Sequence, residues 1–436
     1  MRTSIAFAIE NPTHFKKQLL SWAQQFREVV FLDSNDYDQV YSSYEAVLAV
    51  DVLTSVKTDY HNAFDDLQIY QQTTKDWIFG YLSYDLKNDT EDLSSSNFDG
   101  LAFPDLYFFQ PKKIFLLKGN SVEVAYLNMC DDEISQDFKE IVSAKLQSQE
   151  TANYDPPKIH QRISRERYLE KVGGMLHHIH KGDIYEANFC MEYYAENTSI
   201  NPLETFEKLK AISEPPFAVF FKNYKHYLLS ASPERYLRKQ YDKIISQPIK
   251  GTARRSTDTI EDDAIKLSLS VNEKERSENI MIVDLVRNDL SRTAAKGSVE
   301  VEELCGAYTF KQVHHLISTV VSKVSDGATP VDIIRTTFPM GSMTGAPKIS
   351  AMNIIEKLEE TKRGLYSGAV GYFTPAGNFD FNVVIRSILY NEENKYVSFS
   401  VGSAITAEAT SESEYEECFG NAFETAKTPV GKFQFS

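Results

Sequence analysis

Short apolar runs alternate with polar turns over residues 1–150. "EVVFLDS", "AVLAVDVL", "WIFGYLSYDL" and "KKIFLLK" predict strands, and an apolar period near 3.6 predicts a helix over 13–27. The stretch 147–164, "QSQETANYDPPKIHQRIS", is polar, carries Pro156 and Pro157, and predicts a linker. Ser164 then caps a predicted helix, "RERYLEKVGGMLHHIHK", that stops at Gly182. Strands are predicted at "IYEANFCMEYY", "HYLLSASPERYLRK" and "KIISQPIKGT". Helical patterns follow at 257–292, from Pro347, and at about 412–427, with strands between 368 and 401. Strands and helices are interleaved without regular βαβ alternation. That favours α+β, with large antiparallel sheets packed in a sandwich and helices outside. The division is a sheet-rich region over 1–150 and a second region over 160–436, joined in one composite fold.

The chain has 436 residues, 42% hydrophobic and 25% charged, with ample core material for such a fold. Its formal net charge is −16, which argues against nucleic acid or an anionic membrane as partner. No run is long enough to cross a bilayer, and "MRTSIAFAIENP" is too short an apolar run for a signal peptide. Cys130, Cys190, Cys305 and Cys418 form no CxxC pair, and reduced thiols in a cytoplasmic protein are the simplest expectation.

The candidate chemistry centres on "SQPIKGTARR". A hairpin centred near Asp242 would set Glu234 opposite Lys250. The pair reads equally as a cross-strand ion pair or as a nucleophile beside a general acid. A lysine attacks only as the free amine, and Arg254 and Arg255 are candidates for lowering its pKa. Two acidic pairs lie on helices: Glu275 with Glu278, and Glu414 with Glu417. Each pair shares one helix face and suits a hard cation such as Mg2+, although Ser411 and Glu414 also fit a capping box. "FPMGSMTGAPK" leads into a helix with Pro347 placed as its first residue. It is not a Walker A loop, because Ile349 stands where Ser or Thr should be. "SVGSAIT" could offer amides to a carboxylate from a turn after a strand. Arg386 lies in an apolar strand and needs an anionic partner, which Tyr366 could share. His315 reads as a ligand contact or a core histidine.

Taken in order, "SPER", "PIKGTARR", "ERSENIMIVDLVRNDLSR", "FPMGSMTGAPK", "RGLYSGAVGYF", "VVIRSI" and the last ExxE helix resemble the chorismate-utilising enzymes. The resemblance is strong over about 160–430, and "WIFGYLSYDLK" and "FPDLYFFQPKKI" extend it towards the N-terminus. It implies chorismate as substrate. Glu278 and Glu417 are implied as the main Mg2+ ligands, with Glu275 and Glu414 beside them. Tyr366, Arg386 and the amides of Gly402 and Ala404 are implied to hold the pyruvyl carboxylate. Gly251, Thr252 and His315 are implied to line the ring pocket. The lysine of "PIKGT", where anthranilate synthases carry alanine, resembles the aminodeoxychorismate branch, which leads to para-aminobenzoate and folate. That branch implies attack by Lys250 at ring C2 with Glu234 as acid, then addition of ammonia at C4 from a glutamine amidotransferase partner. The overall reaction is an amination of the aminotransferase type. Anthranilate synthase, isochorismate synthase and a non-catalytic chorismate-binding subunit are the alternatives. Three positions depart from the family pattern: Glu186 for glutamine, Ala404 for glycine and Asn421 for lysine.

Overall fold

In the computed structural model the described residues are 1–37, 39–144, 146, 157–426 and 434–435, with the side chains of 421–426 and 434–435 excepted. Most of the expected linker and the Asn421 side chain lie outside them.

Two long antiparallel strands, Ala46–Thr58 and Leu106–Lys118, form the spine of the sheet. One limb runs from Ala46–Thr58 through Glu28–Asp33, Phe217–Asn223, His226–Ser232, Ser387–Asn391 and Tyr396–Ile405 to Glu186–Ala195. The other runs from Leu106–Lys118 through Ile78–Leu82, Ala369–Phe373, Phe379–Val383, Arg235–Gln240 and Lys243–Gln247 to Val313–Lys323, which also pairs with Ile249–Arg254. Each limb begins with strands that precede 147–156 and continues into strands that follow it, so the sheet is one composite structure.

The limbs face each other as a sandwich, and burial on both faces explains the continuous apolar runs in the sequence. Along Glu28–Asp33, Val30 enters the inner core with Phe79, Tyr81, Phe221 and Phe381, while Val29 and Phe31 enter an outer core. Tyr81 meets Phe221 edge-on at 5.3 Å between the limbs. The outer core is capped by Pro12–Ala23 through Phe15 and Leu19, and by Arg165–Lys181 through Tyr168 and Val172. The latter helix has the expected ends: Ser164 accepts from the Arg167 amide at 3.2 Å, and Gly182 closes it at φ +85°. No helix among the described residues is long and apolar enough to cross a membrane. The four cysteines are free and buried.

Several expectations need correcting. "HYLLSASPERYLRK" is two strands, His226–Ser232 and Arg235–Gln240, broken at Pro233. "KIISQPIKGT" likewise breaks at Pro248, which has no amide hydrogen for the ladder. The hairpin turns at Tyr241–Asp242 with Gln240 opposite Lys243 and Arg235 opposite Gln247, so Glu234 and Lys250 are not cross-strand partners. The 257–292 region is two helices, Thr259–Val271 and Glu273–Ser291, meeting at Asn272, whose side chain accepts from the Glu275 amide at 3.1 Å. Pro347 caps Lys348–Leu358 rather than opening it.

Candidate active site

The site lies where the two limbs end near each other. Lys250 comes from the Ile249–Arg254 strand of one limb, and Glu186 from the start of Glu186–Ala195 in the other. The Lys250 ammonium Nζ donates to Glu186 Oε1 at 2.8 Å and lies 3.9 Å from Glu278 Oε2.

Glycine fixes the backbone on both sides of this pair. Gly251 has φ +98°, a left-handed conformation open to few other residues, and a Cβ there would lie 3.1 Å from Glu275 Oε2. Across the gap, "FPMGSMTGAPK" forms the short strand Gly345–Ala346 against Glu186 and Ala187. A Cβ on Gly345 would meet the Glu186 carbonyl at 2.2 Å, so only glycine permits that approach. The amides of Tyr185 and Asn188 donate to Ala346 O and Thr344 O, both at 2.7 Å. This glycine-rich stretch therefore holds the strand that carries Glu186. Lys348 is likewise structural, donating to Asp289, Thr337 O and Pro339 O.

Burial works to lower the Lys250 pKa, but Glu186, Glu278 and Glu275 outweigh it and raise the amine above its ordinary 10.5. The expectation that Arg254 and Arg255 depress it fails for a geometric reason. Arg254 is exposed, and Arg255 turns away to pair with Asp262 at 2.7 Å. Glu234 is 4% exposed, and burial pushes its carboxyl up to about 7. Its carboxyl lies against the Ser342 hydroxyl and the Ile249 amide and feels the Lys250 charge, so the two groups are neighbours despite the changed register.

Beneath the lysine, Asn279 Nδ2 donates to Lys250 O at 3.1 Å and to Leu316 O at 3.2 Å, while its Oδ1 accepts from Ser318. The sequence reading overlooked it. An asparagine among Ile282, Val283, Val286 and Leu290 on the buried face of a helix is the signal that could have exposed it. Arg363 was overlooked too. It pairs with Glu359 at 2.7 Å and donates to Met343 O at 2.6 Å and Asn188 O at 2.8 Å, tying the glycine-rich stretch to the Glu186 strand.

Thr252 Oγ1 lies 2.8 Å from His315 Nδ1. Burial first, then the Arg386 charge, pushes His315 down to about 3, so the ring is neutral. Its Nε2 is buried without a partner among the described residues. Arg386 is half-buried at φ +51° in the turn between Phe379–Val383 and Ser387–Asn391, not within a strand. Tyr366 is buried near Cys190 and Arg363, and burial holds its phenol well above the ordinary range. Gly402 and Ala404 lie inside the Tyr396–Ile405 strand opposite Cys190 and Asn188, rather than in a turn beyond it. The ladder engages one edge of this backbone; on the other side Ser387–Asn391 pairs only as far as Ser398.

The acidic helices flank the gap. Glu273–Ser291 packs on the Lys250 limb, and Ser411–Ala426 packs on Tyr396–Ile405 and Arg165–Lys181. Thr410 and Ser413 cap the second helix, with the Ser413 amide donating to Thr410 Oγ1 at 3.2 Å, so the capping-box role expected of Glu414 does not apply. The Glu414 carboxyl is raised by burial and by Glu417, and it feels Lys274 and Lys250 from across the gap. Glu278 is raised by burial, then by Glu186 and Glu275. Glu417 is exposed. No three Asp, Glu, His or Cys side chains among the described residues stand close enough to hold a metal unaided. The donors nevertheless suit Mg2+, which ordinarily takes one or two protein carboxylates and completes its shell with waters and substrate oxygens.

The chain that folds in this way matches a family model. The chain belongs to the chorismate binding enzymes, matched over residues 20–422. It is 32% identical over 347 residues to an anthranilate synthase component I-like protein of Synechocystis, spanning 79% of this chain and 71% of that protein. It is 29% identical over 386 residues to aminodeoxychorismate synthase component 1 of Bacillus subtilis, spanning 85% and 78%. Among solved structures, anthranilate synthase component I of Streptococcus pneumoniae superposes with a TM-score of 0.79 at 22% identity, over 89% of this chain and 93% of that one.

Proposed function

We propose that the chain aminates chorismate at C4 to 4-amino-4-deoxychorismate, using ammonia from a separate glutamine amidotransferase subunit. The observation that carries this reading is a half-buried lysine amine, paired to Glu186 at 2.8 Å, close to the buried Glu234 carboxyl that is raised to about 7. Attack needs the free amine, and Glu186 Oε1, 2.8 Å away, is the acceptor within reach of its proton. The amine then forms a C–N bond at C2. The C4–O bond breaks, and the departing hydroxide takes the Glu234 proton and leaves as water. Ammonia adds at C4, the C2–N bond breaks, and Lys250 recovers its amine. The new C4 ammonium returns a proton to Glu234. The sum is chorismate plus ammonia giving the amino product plus water.

Glu278 and Glu417, with Glu275 and Glu414, are the residues that would hold Mg2+, which would neutralise the ring carboxylate and orient the ring. Arg386, Tyr366 and the Gly402–Ala404 edge are assigned to the pyruvyl carboxylate, and Thr252, Gly251 and neutral His315 to the ring. Names of relatives at 29% identity support aminodeoxychorismate formation, including the subunit arrangement that "component 1" denotes. The relative at 32% favours a second reading, anthranilate formation, against which Lys250 speaks. The test is purified protein with chorismate, ammonium and Mg2+, coupled to the lyase that releases para-aminobenzoate. Mg2+-dependent para-aminobenzoate is expected. Anthranilate as the product would overturn the reading.

A further inference from the structure

Lys250 sits at a break in its own strand. Ile249 pairs with Ile317 and Thr252 with His315, so Lys250 and Gly251 together face the single residue Leu316. That is a β-bulge, with Gly251 at φ +98°. The other edge of Val313–Lys323 carries a second bulge close by. Glu303 pairs with Thr319 and Gly306 with Ile317, so Leu304 and Cys305 together face Ser318, with Cys305 at φ +55°. A bulge interrupts the ladder and re-aims the side chains it carries.

One buried side chain reaches both breaks. Asn279 Nδ2 donates to Lys250 O at 3.1 Å and to Leu316 O at 3.2 Å, one carbonyl from each strand of the first bulge. In the second bulge, the Cys305 amide donates to Ser318 Oγ at 2.9 Å, and Ser318 Oγ donates to Asn279 Oδ1. This network has one orientation. Carbonyls only accept, so the NH2 end of Asn279 must face Lys250 and Leu316. Oδ1 is then turned to Ser318, whose hydroxyl supplies the matching proton.

We propose that Asn279 is a positioning residue for Lys250. By bridging the bulge, it aims the amine at Glu186, 2.8 Å away, and holds it 3.9 Å from Glu278, its own neighbour on Glu273–Ser291. Ser318 orients the amide for that task. The helix does not depend on this bridge, because Ile282, Val283, Val286 and Leu290 anchor it in the inner core. The strand is the softer partner: among the described residues, Ile249–Arg254 has Val313–Lys323 as its strand neighbour on one edge only. Without the bridge the bulge relaxes, and the helix carrying Glu275 and Glu278 stays. The effect on turnover rests on the proposed reaction; the placement of the amine does not.

Two variants test this. Asn279→Ala removes the bridge, and Ser318→Ala, a milder change, removes only the hydroxyl that orients it. In a substrate-free crystal structure of Asn279→Ala, Lys250 Nζ is expected beyond hydrogen-bonding distance of Glu186 Oε1, with Glu278 in place. Amide hydrogen exchange over 249–254 should quicken by roughly tenfold or more in both variants, with Glu273–Ser291 unchanged. Turnover should fall by up to roughly 10²-fold, as for a reacting group misplaced by about 1 Å, while Mg2+ affinity measured by calorimetry holds. An asparagine that only stabilised the fold would loosen helix and strand together and weaken Mg2+ binding in step with turnover. That result overturns the proposal, as does Lys250 still bonded to Glu186 in Asn279→Ala. If Asn279→Ala does not fold, Ser318→Ala decides, and unchanged exchange over 249–254 refutes it.

Discussion

Lys250 Nζ and Glu186 Oε1 stand 2.8 Å apart and join the free ends of the two sheet limbs. The position carrying glutamate in this chain thus faces the Lys250 amine directly. With Glu278 and Glu275 it holds that amine in its charged form.

Replacing Glu186 by Gln removes the leading cause of the raised Lys250 pKa. The amine is free only as pH rises through that pKa, so a lower pKa moves the rising limb of the activity profile to lower pH. Rates measured across pH in the wild type and in Glu186→Gln check the shift. An unmoved limb refutes the assignment. Lys250→Ala should lower turnover by at least roughly 10³-fold while leaving Mg2+ binding intact, with titration calorimetry as the control.

Glu234 links activity and stability in opposite senses. Its folded pKa of about 7 exceeds the ordinary 4.5 because of burial. The folded state therefore binds the extra proton, and stability falls as pH rises through that interval. At pH 8 the buried carboxylate costs up to about 3 kcal/mol. Glu234→Gln should be more stable than wild type at pH 8 by up to that amount, with the difference vanishing below the ordinary carboxyl pKa. Urea unfolding at pH 4 and pH 8 measures it. The same variant should lose turnover.

His315 carries the reverse sign. Burial and Arg386 depress its folded pKa to about 3 from 6.5, so the unfolded chain takes a proton first as pH falls. Stability should drop below pH 6.5 by about 1.4 kcal/mol per pH unit until the folded ring titrates. Its imidazole resonances should not titrate between pH 5 and pH 8 in an NMR experiment.

Gly251→Ala should destabilise the protein by about 1–3 kcal/mol through strain at φ +98°. It should also push the Glu275 carboxylate from its place 3.1 Å from the new Cβ. Thermal unfolding and Mg2+ affinity report the two effects separately.

Much of this architecture was legible in the sequence where one local rule governed. The Ser164 cap, the Gly182 stop and the doubly apolar strands all follow from spacing. Relations set by tertiary contact were not. The expected Glu234–Lys250 register ignored the break at Pro248, which frees Ile249–Arg254 from its hairpin partner. Arg254 and Arg255 looked close to the amine in sequence, but Arg254 ends the strand in an exposed position and Asp262 captures Arg255. Glu186 stood out as a departure, but its partner 64 residues away appears only when the limbs meet.

The pairing of early strands with late ones bears on how the protein is made. Ile78–Leu82 pairs locally with Leu106–Lys118, but its other edge stays unpaired until Ala369–Phe373 leaves the ribosome. Glu28–Asp33 likewise waits for Phe217–Asn223. For most of synthesis the nascent chain therefore carries open apolar strand edges, the surfaces most prone to wrong pairing. Yield in a cell should depend on translation speed and on chaperones that shield those edges, more than on the stability of the finished enzyme.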